Sequence, residues 1–130
     1  MAYEVKSGRF VDQVPFVDHP NISDFGCSPD GLIGNLGLVE IKCPNSATHW
    51  SYLKANEPPN KYYIQMQAQM ACTQTEWCDF VSFDPRMPER SQLLIVRVER
   101  DETFIKEMEE AVEVFLSEVH EEVLLMKGTK

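Results

Sequence analysis

The stretch CSPDGLIGNLGLVEIKCP, residues 27–44, decides the fold that this sequence predicts. Its closely spaced glycines are typical of a β-hairpin turn. We therefore expect the segment that ends near Ile33 to lie antiparallel to a strand from about Leu38 to Cys43. Asp30 then belongs to one strand of the hairpin and Glu40 to its neighbour.

Alternation along the second strand decides which side chains share a face. Successive side chains of a strand point to opposite faces, so Glu40 and Lys42 point the same way while Ile41 points into the core. The Ile41 carbonyl then lies near the acidic side chains, where it could join a ligand set. Asp30, Glu40 and Lys42 together suit a divalent-metal site that cuts a phosphodiester. Their oxygens would bind Mg²⁺ or Mn²⁺, and the ammonium would serve the phosphate or the attacking water.

Each part of this motif also has an ordinary structural interpretation. Pro29-Asp30-Gly31 is a common turn sequence, and Glu40-Ile41-Lys42 is an ordinary strand alternation. The metal-site interpretation depends on both parts occurring together, at this spacing and with a hairpin between them.

The composition is typical of one soluble domain. The chain has 130 residues, 43% of them hydrophobic, and no run resembles a membrane span or a signal peptide. We therefore expect an intracellular protein with a substantial core, formed by one domain over residues 1–130. The four cysteines have no zinc or redox spacing, and we expect them to be reduced and mostly buried. They are Cys27, Cys43, Cys72 and Cys78.

The net charge of −9 argues against broad binding to nucleic acid. Its distribution weakens that objection, because residues 99–122 contain ten acidic and two basic residues, whereas residues 1–98 contain eleven and eight. A metal-dependent nuclease also needs uncompensated acidic side chains that cations then neutralise. The charge therefore does not exclude a phosphate-containing substrate.

The remaining patterns predict an α/β sandwich around a mixed sheet. In chain order we expect an edge strand over residues 10–17, a short helix over 45–53 capped by Ser46, a helix over 61–73, strands over 77–83 and 93–98, and a helix from about Asp101 to Met126. The last helix has an apolar face opposite an acidic one and most simply covers the sheet. A partner-binding helix is the alternative.

The helix over residues 61–73 carries three glutamines. Gln65 lies on its first turns, where the side chain could reach a phosphate. Solvated helix surface is the simpler interpretation of Gln65, Gln67 and Gln69.

Three basic residues are candidates for DNA binding. The loop between the last two strands brings Arg86 and Arg90 together. They either decorate the surface or grip a DNA backbone. Lys54, near the end of the short helix, is the third candidate.

This arrangement resembles the core of the restriction-endonuclease-like nucleases, the PD-(D/E)XK superfamily. The signature of that superfamily is Pro-Asp, a spacer, then Asp or Glu, any residue and Lys, and it is matched by Pro29-Asp30 and Glu40-Ile41-Lys42. Longer strings resemble the lambda exonuclease or YqaJ-like viral recombinase family of phage-type alkaline exonucleases. They are SPDGL at 28–32, LVEIKCP at 38–44, YYIQMQ at 62–67, FDPRM at 83–87 and VERDE at 98–102.

The resemblance implies a mixed sheet flanked by helices and a metal-dependent DNA exonuclease. Asp30 and Glu40 would bind two Mg²⁺ ions, and the Ile41 carbonyl would complete one coordination shell. Lys42 would orient or deprotonate the attacking water, and Gln65 falls on a family glutamine close to the scissile phosphate. Family members degrade one strand of linear duplex DNA from the 5′ end and work with a single-strand annealing protein in phage recombination. The implied partners are thus DNA and such a protein, in the cytoplasm of a bacterial host.

The resemblance leaves part of the family's machinery unmatched. Family members carry upstream helices with an arginine that binds the 5′-phosphate and a glutamate of the active site. This chain begins at about where the glutamate-bearing helix should end. Glu4 and Arg9 lack the matching context and are not assigned these roles.

We therefore expect an N-terminally truncated exonuclease domain, and its activity, strand polarity and ring-shaped trimer stay open. One alternative is an inactive remnant that binds DNA or docks a protein through the acidic helix. The other is a small structure-specific endonuclease of the same fold.

Overall fold

The computed structural model describes residues 2–128 of the chain. Its elements are α1 (Ala2–Ser7), β1 (Val17–Asp18), β2 (Gly26–Cys27), β3 (Gly31–Ile33), β4 (Gly37–Lys42), α2 (Ser46–Ala55), α3 (Asn60–Thr73), β5 (Trp77–Phe83), a 3₁₀ turn (Glu89–Ser91), β6 (Leu93–Glu99) and α4 (Glu102–Met126). They form a mixed α/β fold, as predicted.

The predicted hairpin begins the main sheet. β3 and β4 pair antiparallel, with Gly31 opposite Val39, so the same register continued by one residue places Asp30 opposite Glu40. The turn between them includes Gly34, whose φ of +60° favours glycine. β4 pairs parallel with β5, and β5 antiparallel with β6, which gives the order β3-β4-β5-β6. β1 and β2 form a separate two-stranded sheet.

The main sheet has an apolar layer on each face. On one face, Leu38 packs with Phe80 and with Met66 of α3. On the other face, Val39 packs with Tyr3 of α1, and the partly buried Ile41 joins this second layer, as the alternation predicted. Because side chains alternate along β4, Glu40 and Lys42 lie on the α3 face.

The two helices between β4 and β5 begin at polar or proline residues. The side chain of Asn45 caps α2 by accepting from Thr48 N at 2.8 Å. The prediction that Ser46 is the cap is wrong, because its hydroxyl donates instead to Asp84 Oδ2 at 2.5 Å. α3 follows Pro59, which has no backbone N–H to leave unsatisfied at a helix start.

The predicted edge strand over residues 10–17 is wrong. Within it, the described pairing is the isolated bridge of Asp12 to Leu32 and the first residue of β1. Pro15 removes a backbone donor from the segment, and Phe10 and Phe16 stay exposed. The apolar residues of this segment alternate in sequence, but they do not form a buried face.

α4 starts as predicted and packs against α3, where Tyr63 meets Phe104 edge to face. Asp101 caps it by accepting from Phe104 N at 3.0 Å, and Ile105 is buried. Farther along, Phe115 and Met126 are 61% and 77% exposed. The helix has 25 residues against 14 in α3, and large apolar side chains of its C-terminal half stay exposed. The prediction of a helix that covers the sheet is wrong for this half.

A histidine ties α4 to the two-stranded sheet. His19 Nδ1 accepts from the backbone N–H groups of Asn21 and Ile22 at 3.1 and 3.0 Å. Its Nε2 contacts the carboxylate of Glu109 on α4.

The four cysteines are free, with Cys72 and Cys78 buried, Cys27 half-buried and Cys43 exposed. The prediction that they are mostly buried is therefore correct for two of them. Among the described helices, none has the length and apolar character needed to cross a membrane.

Candidate active site

Three of the predicted side chains meet at the C-terminal end of β4, on the α3 face. Glu40 is only 2% exposed although it is a carboxylate. Lys42 Nζ lies 3.0 Å from Glu40 Oε1, and Gln65 Nε2 donates to the same oxygen at 3.2 Å. Strand alternation and the docking of α3 thus bring Glu40, Lys42 and Gln65 together.

Asp30 approaches this group from the start of β3. Its Oδ2 accepts from Ile41 N at 2.7 Å, which holds the exposed carboxylate against the backbone of β4. This contact is to the N–H of Ile41. The ligand role of the Ile41 carbonyl stays a prediction. Asp30 is also among the negative charges that act on the Lys42 ammonium.

Lys42 is an ammonium held between acidic groups and an aromatic ring. Burial lowers the pKa of Lys42, but the hydrogen bond and charge of Glu40 outweigh it, and the net pKa is raised. The Nζ also lies 4.4 Å from the ring centroid of Tyr62, a favourable cation–π distance. A lysine with a raised pKa stays charged near neutral pH. The predicted roles of Lys42, orienting or deprotonating the attacking water, both stay predictions.

Gln69 is a candidate that the sequence reasoning missed. Its Nε2 donates to Glu40 Oε2 at 3.0 Å, and the residue is 3% exposed. The surface interpretation is wrong for Gln69 and for Gln67, which are both buried, whereas Gln65 is exposed. One signal was present: Gln65 and Gln69 are four residues apart and therefore share a helix face.

The donor set fits a hard divalent cation. Mg²⁺ binds one or two carboxylates and completes its octahedron with water, carbonyl or phosphate oxygens. Asp30 and Glu40 supply carboxylates from neighbouring strands. Over residues 2–128, no group of three or more His, Cys, Asp or Glu side chains is placed to hold a metal ion. A backbone carbonyl such as that of Ile41, water and substrate are further oxygen ligands that such an ion accepts.

Arg86 lies near the end of β4. Its guanidinium donates to Asp84 Oδ1 at 2.8 Å and to the carbonyl of Pro44, two residues beyond Lys42, at 2.9 Å. The hydrogen bonds of Ser46 and then of Arg86 lower the pKa of the fully buried Asp84 to about 2. Asp84 is therefore ionised near neutral pH and neutralises part of the Arg86 charge, although the Arg86 side chain remains 63% exposed.

The other two basic candidates lie in different surroundings. Arg90 lines a cavity with Ala2 and Val5 of α1, on the sheet face opposite α3. Arg86 and Arg90 therefore have different neighbours, and their shared role in gripping a DNA backbone stays a prediction. Lys54 is exposed on α2, with its Nζ 5.9 Å from the ring centroid of Trp50.

Glu4 and Arg9, which were left unassigned, have contacts of their own. Glu4 Oε2 accepts from Val11 N at 3.0 Å. Arg9 lies 5.1 Å from the ring centroid of Trp77, beside the α1 layer of the core. Neither residue is assigned a catalytic role on these contacts.

Comparisons with known proteins agree with the predicted fold. Residues 1–76 match the YqaJ-like viral recombinase domain. This match includes Asp30, Glu40, Lys42 and Gln65. Comparison with curated protein sequences gives no match.

Solved structures extend the similarity over nearly the whole chain. The chain is similar to an alkaline exonuclease, LHK-Exo, from Laribacter hongkongensis, with 47% identity, a TM-score of 0.96, and coverage of 98% of this chain and 66% of that one. LHK-Exo in complex with dAMP matches over the same shares, with 47% identity and a TM-score of 0.95. A phage related exonuclease from Haemophilus somnus has the same fold at 18% identity, with a TM-score of 0.60 over 86% of this chain and 61% of that one. This chain therefore spans just under two thirds of the LHK-Exo chain.

Proposed function

We propose, because this chain belongs to the YqaJ-like viral recombinase family, that it is a metal-dependent deoxyribonuclease acting on linear double-stranded DNA from the 5′ end in phage recombination. The observation that carries the proposal is the buried carboxylate of Glu40, which is hydrogen-bonded to Lys42 and precedes Ile41, whose N–H binds Asp30. The 47% identity to an alkaline exonuclease supports the reaction class. The dAMP complex of that relative supports DNA as the substrate.

The proposed reaction is direct hydrolysis of the phosphodiester. Asp30 and Glu40 would hold Mg²⁺, or alternatively Mn²⁺, with the Ile41 carbonyl as a further oxygen ligand. When bound, the metal supplies an activated water and stabilises charge on the entering and leaving oxygens. The Lys42 ammonium orients the water or a phosphate oxygen. Gln65 donates one amide N–H to Glu40 and has a second for a phosphate oxygen.

Arg86 is the basic candidate that we place closest to this chemistry. It is bonded to Pro44, just past the end of β4, and its exposed guanidinium can contact a phosphate of the DNA backbone. Lys54 and Arg90 would contact DNA farther from the cleaved bond.

A nuclease assay tests the proposal. We expect Mg²⁺-dependent release of nucleotides from a linear, 5′-phosphorylated duplex, and no cutting of a closed circle of the same sequence. Cutting of closed circular or branched DNA would favour the endonuclease alternative. A folded protein that neither cleaves DNA nor binds its ends when Mg²⁺ is present would contradict both forms of the nuclease proposal.

Metal binding should also stabilise the fold. Asp30 and Glu40 repel each other without a cation, and an ion that binds only the folded state at about 100 times its Kd adds about 2.7 kcal/mol to the free energy of unfolding. We expect millimolar Mg²⁺ to raise the Tm by roughly 5 °C or more, measured against NaCl of matched ionic strength. An unchanged melting curve would remove the main support for the metal assignment.

The exposed half of α4 is the place where we propose that a partner binds. Phe115, Val119 and Met126 line an apolar surface, exposed by 61%, 40% and 77%, with Glu118 and Glu122 beside it. Acidic residues around an apolar stripe complement a basic amphipathic partner. The single-strand annealing protein that the family resemblance implies is the proposed occupant. The family's homotrimer is a further proposal, tested by the mass of the protein in solution.

Substitutions on two faces of α4 test the partner site. The double change Phe115→Asp and Val119→Asp should abolish capture of the annealing protein, because it puts charge into the apolar surface. Val114→Asp is the matched control, since Val114 is 59% exposed on a different face of the helix. Equal capture by both variants would contradict this site, and a wild-type mass that falls to the monomer only in the double variant would assign the surface to a second copy instead.

A further inference from the structure

Two buried glutamines on α3 use their amide groups in different ways. Gln67 pairs both ends, because its Nε2 donates to Glu99 O and its Oε1 accepts from Asp101 N, each at 2.9 Å. Gln69 directs its Nε2 to Glu40 Oε2 at 3.0 Å. Its Oε1 is buried and has no hydrogen-bond partner in the described part of the chain. Gln69 is therefore not arranged as an ordinary structural amide.

The orientation of the Gln69 amide follows from the chemistry of its neighbour. Carboxylate oxygens accept hydrogen bonds, and the NH₂ group of Gln69 accordingly faces Glu40 while its carbonyl points away. An unpaired buried acceptor destabilises a fold. The arrangement maintains the contact to Glu40 in spite of that cost.

The two oxygens of Glu40 consequently have different surroundings. Oε2 is held by the neutral, buried amide of Gln69. Oε1 is bonded to the ammonium of Lys42 and to the exposed Gln65, on the side where the charge of Asp30 also acts on Lys42. Oε1 is thus the oxygen beside the other predicted site residues.

We infer that Gln69 is a positioning residue that fixes Glu40 through Oε2 and presents Oε1 to a hard divalent cation. The inference rests on the proposed function and adds to it which oxygen is the ligand and which residue orients it. Hydrogen bonds to metal ligands set the orientation of those ligands, and their loss weakens metal affinity. Gln69 acts on the metal through Glu40 and does not contact substrate.

Calorimetric titration with Mg²⁺, and with Mn²⁺, tests the inference without relying on activity. Gln69→Met keeps the length of the side chain and removes the donor, so its Kd for the metal should rise about 10-fold or more. Gln69→Asn keeps an amide that is too short to reach Glu40 and should show the same direction. Gln67→Met is the matched control, because it removes a buried amide from the same helix without a contact to Glu40, and its metal Kd should stay within twofold of wild type.

The outcomes separate this inference from the proposed function. Wild-type protein that binds neither ion would overturn both. Binding by wild type together with an unchanged Kd in a folded Gln69→Met or Gln69→Asn variant would overturn the positioning role alone. The positioning role would also be overturned if Gln67→Met weakened metal binding as much as Gln69→Met. Loss of any buried amide would then be enough to weaken binding. If Gln69→Met does not fold, Gln69→Asn decides the question.

Discussion

Glu40→Gln is expected to reduce the rate of DNA cleavage by about 10³-fold, because a loss of about 4 kcal/mol of metal-mediated stabilisation in the transition state corresponds to that factor. Glutamine matches the shape of glutamate but replaces one carboxylate oxygen with an amide nitrogen, which cannot bind a cation. The measurement is the initial rate of nucleotide release from a linear, 5′-phosphorylated duplex at a fixed Mg²⁺ concentration. Asp30→Asn should reduce the rate in the same way, since Asp30 is the second carboxylate.

A control for Glu40→Gln is available on the same sheet. Glu99 is an exposed glutamate on β6, and the hydrogen bond from Gln67 uses its backbone carbonyl, so Glu99→Gln should leave both fold and rate unchanged. The variants should be compared by circular dichroism and by their Mg²⁺-induced change in Tm. A folded Glu40→Gln protein that cleaves at the wild-type rate would remove Glu40 from the mechanism.

Much of this site could be predicted because its determinants are local in sequence. The glycine-rich turn sets the hairpin, and the hairpin places Asp30 opposite Glu40. Strand alternation then places Lys42 beside Glu40, 3.0 Å from its carboxylate. None of these steps requires knowledge of how distant parts of the chain pack.

The role of Gln69 could not be predicted from local sequence. Its burial depends on how α3 docks on β4, and a glutamine in a helix without a clean apolar stripe looks like solvated surface. The same limit applies to α4. The periodic pattern correctly predicted a helix with an apolar face, but periodicity does not reveal what covers that face, and Phe115 is exposed. The strand prediction for residues 10–17 is wrong for a related reason. The apolar residues alternate there, but the described pairing of the segment is an isolated bridge and not a strand along its length.

The charge pattern of the chain also has a structural explanation. Glu109, in the first half of α4, contacts His19, whereas Glu118 and Glu122 lie in the C-terminal half beside the exposed apolar surface. Much of the acidity of the chain is therefore on α4, whereas Glu40 lies on β4. The net charge of −9 consequently says little about the potential that a phosphate meets beside Lys42.

Lys42→Met is expected to slow cleavage by about 10²-fold to 10³-fold, the usual effect of removing one positioned donor from a transition state. It should also lower the Tm without metal, because the buried carboxylate of Glu40 loses its cationic partner. Mg²⁺ should then raise the Tm of the variant by more than that of wild type, since the ion supplies the missing positive charge. The two measurements are the rate at saturating Mg²⁺ and the melting curve with and without the ion.

Lys61→Met is the matched control for Lys42→Met. Both ammonium groups lie over the ring of Tyr62, at 4.4 Å for Lys42 and 4.9 Å for Lys61, but the 3.0 Å contact to Glu40 belongs to Lys42. Removing Lys61 should therefore leave the rate and the Mg²⁺-induced change in Tm close to wild type. If the two variants lost cleavage rate equally, cleavage would depend on packing against Tyr62 and not on the charge beside Glu40. Recovery of the cleavage rate in Lys42→Arg would instead show that a positive charge at this position is sufficient. We expect this result if Lys42 orients water or phosphate as an ammonium and does not take a proton.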